Sequence, residues 1–142
     1  MVDNINKSTK ILCVCTHNYF RSQIMEWVLR SRGYTNVKSA GVLSAYLGHK
    51  AFPYVIDAIN KRGGNCTDYL AHQLTIEDVQ WSDFILCAEE QHSEHIKRMI
   101  ASEKPIGAWV AVLGIHDGGV TNLDAVEKAA TEIVEWFDKW TW

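Results

Sequence analysis

Proline is nearly missing from this chain, with two in 142 residues, and neither sign of charge dominates: 14 Lys and Arg face 17 Asp and Glu, a formal net charge of −3. No block of Lys and Arg occurs, which excludes the electrostatic footprint of a dedicated nucleic-acid binder. No apolar run approaches the roughly 20 residues of a membrane span. The opening MVDNINKSTK is polar, without the apolar core of a signal peptide, so the expected location is cytoplasmic, with no membrane partner. Cysteine is scarce and poorly spaced for metal. Cys13, Cys15, Cys66 and Cys87 contain a C-x-C but no C-x-x-C, and no matching His/Cys pair follows. Reduced thiols are expected, and neither a metal nor a cofactor.

What is present is enough for one domain over residues 1–142, since 47% of the residues are hydrophobic and only 22% charged. Strand-like and helix-like patterns alternate. KILCVC (10–15) suits a buried strand, and residues 22–32 carry Ile24, Trp27, Val28 and Ser31 at helical spacing before Gly33. NVKSAG (36–41) reads as a strand, and residues 51–62 as a helix that stops at Gly63 and Gly64. Thr75 and Asp78 have the spacing of a capping box that opens a short helix. DFILCA (83–88) predicts a third strand, 89–100 a helix, and a fourth strand falls within 106–113. Leu123, Val126, Ala130, Ile133, Phe137 and Trp140 mark a final amphipathic helix. The pattern predicts an α/β fold: one doubly wound domain, a four-stranded parallel sheet flanked by helices.

The stretch CTHNYFRS (15–22) lies between the first strand and the first helix, at the carboxyl edge where such sheets bind ligands. Backbone N–H groups of Thr16, His17, Asn18, Tyr19, Phe20, Arg21 and Ser22, curling at a helix N-terminus, make a nest for an anion. Arg21 adds a bidentate donor for two oxygens of a phosphate. The same positive surroundings favour Cys15 as a thiolate, a nucleophile aimed at phosphorus. Ser22 can donate a hydrogen bond to the sulfur. In the bland alternative, Cys15 is a small hydrophobe at a strand end and Arg21 a solvated residue of the first turn.

ILCVC-THNYFRS-QIMEW resembles the N-terminal signature of the low-molecular-weight protein tyrosine phosphatases, roughly V-C-x-G-N-x-C-R-S-P-x-A-E. SAG (39–41), LAHQLTIEDV (70–79) and SDFILCAEEQHSEHI (82–96) resemble further segments of that family, in the same order. The resemblance implies a phosphate loop between the first strand and first helix, and metal-free hydrolysis of phosphotyrosine or aryl phosphomonoesters through a phosphocysteine. It makes Cys15 the nucleophile, Arg21 the phosphate clamp and Asp117, in IHDGG, the general acid and base. It makes Asn18 a left-handed loop residue tied to Ser22 and Ser39. A phosphotyrosine protein or small aryl phosphate is the implied partner, with phosphate and vanadate as inhibitors. The state expected is a monomer or, through an exposed Trp, a weak dimer.

Several positions depart from the family pattern. His17 replaces a glycine, Phe20 a second cysteine, Gln23 a proline and Gly118 the proline after the acid; His72 and Tyr69 stand where Arg and His are usual. Tyr19 and Tyr46 are the expected aromatic walls of the substrate slot. Thioredoxin-coupled arsenate reductases resemble Cys15-Thr16, Asn18 and Arg21-Ser22-Gln23 as well, but they need a cysteine relay for which only Cys87 has a matching position. A non-catalytic phosphate-binding module of the same fold is the third possibility. His92 and His95 are read as a solvated helix face, His116 as an exposed loop residue, and Trp136, Trp140 and Trp142 as closing the core.

Overall fold

The centre of the molecule is a strand with no polar face. β1 (Ile11–Cys15) is buried at every residue, as expected for a parallel strand covered by helices on both sides. It pairs with β2 (Val37–Gly41) on one edge and β3 (Phe84–Cys87) on the other, and β3 pairs with β4 (Trp109–Val112). All pairings are parallel and the order is β2-β1-β3-β4. The chain therefore winds outward in opposite directions from β1 and β3, and a crevice forms at the carboxyl ends of those two strands. The computed structural model describes residues 5–43, 45–100 and 109–140. Within them the expected doubly wound α/β domain is the one observed.

Alternation along β1 divides the core. Ile11, Cys13 and Cys15 pack with α1 (Arg21–Ser31), α2 (Pro53–Lys61) and α5 (Leu123–Asp138). Leu12 and Val14 face α3 (Ile76–Trp81) and α4 (Glu90–Met99) through Val79 and Ile96. Pro53 opens α2 in its first turn, where its missing N–H costs nothing. The Thr75–Asp78 capping box is formed, each side chain accepting the other's backbone N–H at 3.1 Å.

Boundaries differ from expectation by a residue or two. α1 begins at Arg21, and the fourth strand occupies 109–112, while residues 106–108 of the expected interval lie outside the described residues. On α5 the buried stripe is Val126, Ala129, Ala130, Ile133 and Phe137. Leu123 is exposed, and Trp140 lies beyond the helix end, stacked on Phe84 with ring centroids 5.8 Å apart. Trp136 and Trp140 pack on the core as expected; Trp142 is outside the described residues.

Gly41, at the carboxyl end of β2, brings the sheet against the loop that follows β1. A Cβ there would stand 2.6 Å from the carbonyl carbon of His17 and 2.8 Å from the Asn18 nitrogen. No side chain fits between β2 and that loop.

Candidate functional site

Cys15 ends β1 and is 1% exposed. Its sulfur lies 3.0 Å from Ser22 Oγ and accepts the Asn18 N–H at 3.4 Å. Asn18 Nδ2 donates to Ser22 Oγ at 2.7 Å. With that lone pair engaged, Ser22 can turn its own O–H toward the sulfur, so both neighbours offer donors that suit a thiolate. Asn18 is in the left-handed region at φ 58°, the only non-glycine residue so placed among those described. Asn tolerates that conformation better than most residues.

Asn18 is held from several sides. Its Oδ1 accepts the His72 N–H at 2.8 Å and the Tyr69 O–H at 3.1 Å, and its carbonyl accepts from Gln23 Nε2 at 2.7 Å. The expected tie from Asn18 to Ser22 is therefore present, whereas the tie to Ser39 needs correction. Tyr69 stands between them: its hydroxyl lies 2.9 Å from the Ser39 carbonyl oxygen and 3.1 Å from Ser39 Oγ. Ser39 Oγ in turn donates to Glu26 Oε1 at 2.6 Å, and Glu26 also accepts from Arg30 Nε at 2.8 Å. Burial pushes the Glu26 carboxyl up, against the pull of these two donors.

Arg21 begins α1 with its side chain buried. Nη1 pairs with Glu89 and donates to the Ile115 carbonyl at 2.8 Å. Nη2 donates to Thr16 Oγ1 at 3.2 Å and lies 3.7 Å from Asp117 Oδ2. Segments following β1, β3 and β4 thus meet around one guanidinium. Asp117 is part of a turn in which its Oδ1 accepts the Gly119 N–H at 3.0 Å, and Gly119 takes φ +88°, which favours glycine.

At the mouth, Tyr19 and Tyr46 stack with ring centroids 4.3 Å apart and planes 11° off parallel. Phe52 meets Tyr19 edge-on, and His17 meets both tyrosines edge-on. The two expected wall residues are thus side by side on one flank. Burial and the neighbouring Tyr46 push the Tyr19 phenol up to about 12, so it stays neutral. Phe20 contributes backbone only, because its ring is 2% exposed and belongs to the core.

Two residues of the site escape a reading of the sequence. Glu89 reads there as a helix start without a role, and the pattern places His92 on a solvated helix face. His92 is instead fully buried, with Nε2 3.0 Å from Thr16 Oγ1 and Nδ1 accepting the Glu89 N–H at 3.0 Å. Burial and the Arg21 charge push its imidazole down to about 4. The available signal is position: both lie just past the carboxyl end of β3, beside the crevice.

Fold and site together define an α/β protein with a thiol at the foot of a loop closed by an arginine. The chain belongs to the low molecular weight phosphotyrosine protein phosphatase family, whose model matches residues 10–127. It is 33% identical over 129 residues to the low molecular weight protein-tyrosine-phosphatase Etp of Escherichia coli, covering 85% of this chain and 84% of that protein. It is 30% identical over 135 residues to AmsI of Erwinia amylovora, a probable low molecular weight protein-tyrosine-phosphatase, covering 92% and 93%. The crystal structure of the Erwinia amylovora tyrosine phosphatase AmsI superposes with a TM-score of 0.82 at 26% identity, over 94% of this chain and 91% of that one. The T. tengcongensis low molecular weight protein tyrosine phosphatase gives a TM-score of 0.76 at 26% identity, over 93% and 97%.

Proposed function

We propose that this chain hydrolyses phosphotyrosine and aryl phosphomonoesters through a phosphocysteine. The observation that carries this is the sulfur of Cys15, served by the Asn18 N–H at 3.4 Å and Ser22 Oγ at 3.0 Å, on the loop that Arg21 closes, with Asp117 3.7 Å from that arginine. The phosphoryl group sits in the loop of residues 16–22, on backbone N–H groups and the Arg21 guanidinium. The Cys15 thiolate attacks phosphorus; an S–P bond forms as the P–O bond to the phenol breaks. Asp117 protonates the departing phenolate oxygen. Asp117 then takes a proton from water, whose oxygen attacks phosphorus, and the S–P bond breaks to release phosphate and the thiolate. Ser22 and the Asn18 N–H stabilise the sulfur as leaving group, and Arg21 with the loop stabilises charge on the equatorial oxygens.

Asn18 and Ser22 support the loop directly, and Ser39 supports it through Tyr69. Tyr19 and Tyr46, stacked on each other beside His17, wall the aryl group on one flank. Phosphate and vanadate inhibit by occupying the loop. The partner is a phosphotyrosine protein or a small aryl phosphate, with no role for nucleic acid or membrane; the chain acts in the cytoplasm as a monomer or weak dimer. Among the described residues no helix is long and apolar enough to cross a membrane. Arsenate reduction is less well supported. Cys13, Cys66 and Cys87 are all buried, and burial pushes the Cys87 thiol up to about 12, which suits a core residue and not a relay to the surface.

The test is turnover of p-nitrophenyl phosphate by the wild type and by Cys15→Ser. Phosphatase activity that disappears in the variant is expected. An inert wild type, or a Cys15→Ser variant that still turns over, overturns the proposal.

A further inference from the structure

His92 lies outside the loop of residues 16–22, on α4, yet its ring occupies a position that controls the first residue after the nucleophile. Nδ1 accepts the backbone N–H of Glu89 at 3.0 Å. An acceptor nitrogen carries no proton, so in the neutral ring the proton is on Nε2. Burial and the nearby Arg21 guanidinium keep the ring neutral, with its pKa down to about 4. Nε2 therefore donates to Thr16 Oγ1, 3.0 Å away.

Thr16 Oγ1 also receives Arg21 Nη2 at 3.2 Å. A hydroxyl has two lone pairs and one hydrogen. Both lone pairs are taken by donors, so the hydroxyl cannot rotate to accept from another group, and its hydrogen is the only valence left to offer. The acceptor it suits is an anion held by the same guanidinium.

We propose that His92 is a positioning residue: by donating from Nε2 it locks the Thr16 side-chain hydroxyl as a donor to the phosphoryl oxygens, adding a side-chain contact to the backbone N–H groups of the loop. This rests on the proposed phosphate site, though not on its turnover. An alternative, purely structural role exists in the same contacts, since the Nδ1 bond to Glu89 caps α4 and steadies the carboxylate that pairs with Arg21.

Two substitutions separate the roles. An asparagine amide reaches only as far as ring Nδ1, so His92→Asn keeps an acceptor for the Glu89 N–H and loses the donor to Thr16. A glutamine amide nitrogen reaches as far as Nε2, so His92→Gln keeps the donor and loses the cap. Two readouts apply to the full-length protein. One is the concentration of inorganic phosphate that halves alkylation of Cys15 by iodoacetamide. The other is kcat and KM for p-nitrophenyl phosphate.

The expected result is a phosphate constant about ten-fold weaker and kcat/KM about ten-fold lower or more for His92→Asn and for Thr16→Val, by loss of one oxyanion donor. The double variant is expected to lose no more than either single one, and His92→Gln to stay within about three-fold of wild type. The opposite order, Asn tolerated and Gln harmful, assigns His92 to the cap alone and overturns the proposal. Losses that multiply in the double variant overturn it too. Should the His92 variants fail to fold, Thr16→Val decides by itself: unchanged phosphate protection overturns the proposal. A wild type that phosphate protects but that does not turn over refutes the phosphatase reaction and leaves the phosphate comparison of the variants decisive. A wild type that phosphate does not protect refutes this inference directly.

Discussion

Asp117 Oδ2 lies 3.7 Å from Arg21 Nη2, although the two residues come from opposite ends of the chain and from different strand-to-helix connections. The carboxylate is thereby held beside the guanidinium that closes the loop. With Asp117→Asn, kcat for a phenolate of high basicity such as phenyl phosphate is expected to fall about 100-fold or more, within the range for loss of a general acid. The loss should be smaller with p-nitrophenolate, which needs less help from a proton. A leaving-group series measured on both proteins checks this, and an equal loss across the series counts against Asp117 as the acid.

Tyr69→Phe removes the hydroxyl that joins Asn18 Oδ1 to Ser39. Asn18 Oδ1 keeps the His72 N–H and Ser39 Oγ keeps Glu26, so the loss is that of a net hydrogen bond, about 0.5–1.5 kcal/mol, to be read in urea denaturation. The left-handed Asn18 is then less firmly held, and kcat should drop several-fold with KM little changed. A variant with wild-type stability and wild-type kcat would show that the bridge does not matter.

Gly41→Ala places a Cβ within 2.6 Å of the His17 backbone and 2.8 Å of the Asn18 nitrogen. These are backbone atoms of the loop that follows β1 and cannot turn aside. An overpacking cost of about 1–3 kcal/mol is expected, together with activity lost beyond what the stability change explains. Denaturation and kinetics on the same preparation test both parts.

His92 links stability to pH. Its folded pKa of about 4 lies below the ordinary 6.5 because of burial first and Arg21 second, with His95 adding in the same direction and Glu89 and Asp117 opposing. The unfolded chain takes up the proton first as pH falls. This contribution is therefore fully present above pH 6.5 and is lost progressively down to about pH 4, amounting to roughly 3 kcal/mol at most. Urea unfolding from pH 7 to pH 4 should show a shallower decline for His92→Gln than for wild type. Parallel declines would mean that His92 is protonated equally in both states.

Much of this protein is legible from local pattern. Apolar runs bounded by helical spacings define β1, β3 and the helices, because burial on both faces of a parallel sheet demands continuous hydrophobic strands. The stretch from Cys15 to Ser22 identifies the loop, since a cysteine, an arginine and a serine at that spacing sit together on one turn at a helix entrance. Those features depend on neighbours in sequence. The partners of Arg21 do not: Glu89, Ile115 and Asp117 arrive from the ends of β3 and β4 only once the sheet order β2-β1-β3-β4 is set. The same holds for the Tyr69 bridge between Asn18 and Ser39. His92 is the clearest case, a polar residue on a polar helix, which its sequence neighbours place at the surface. Tertiary packing buries it against Thr16, and only there does the buried imidazole find both a donor and an acceptor to satisfy it.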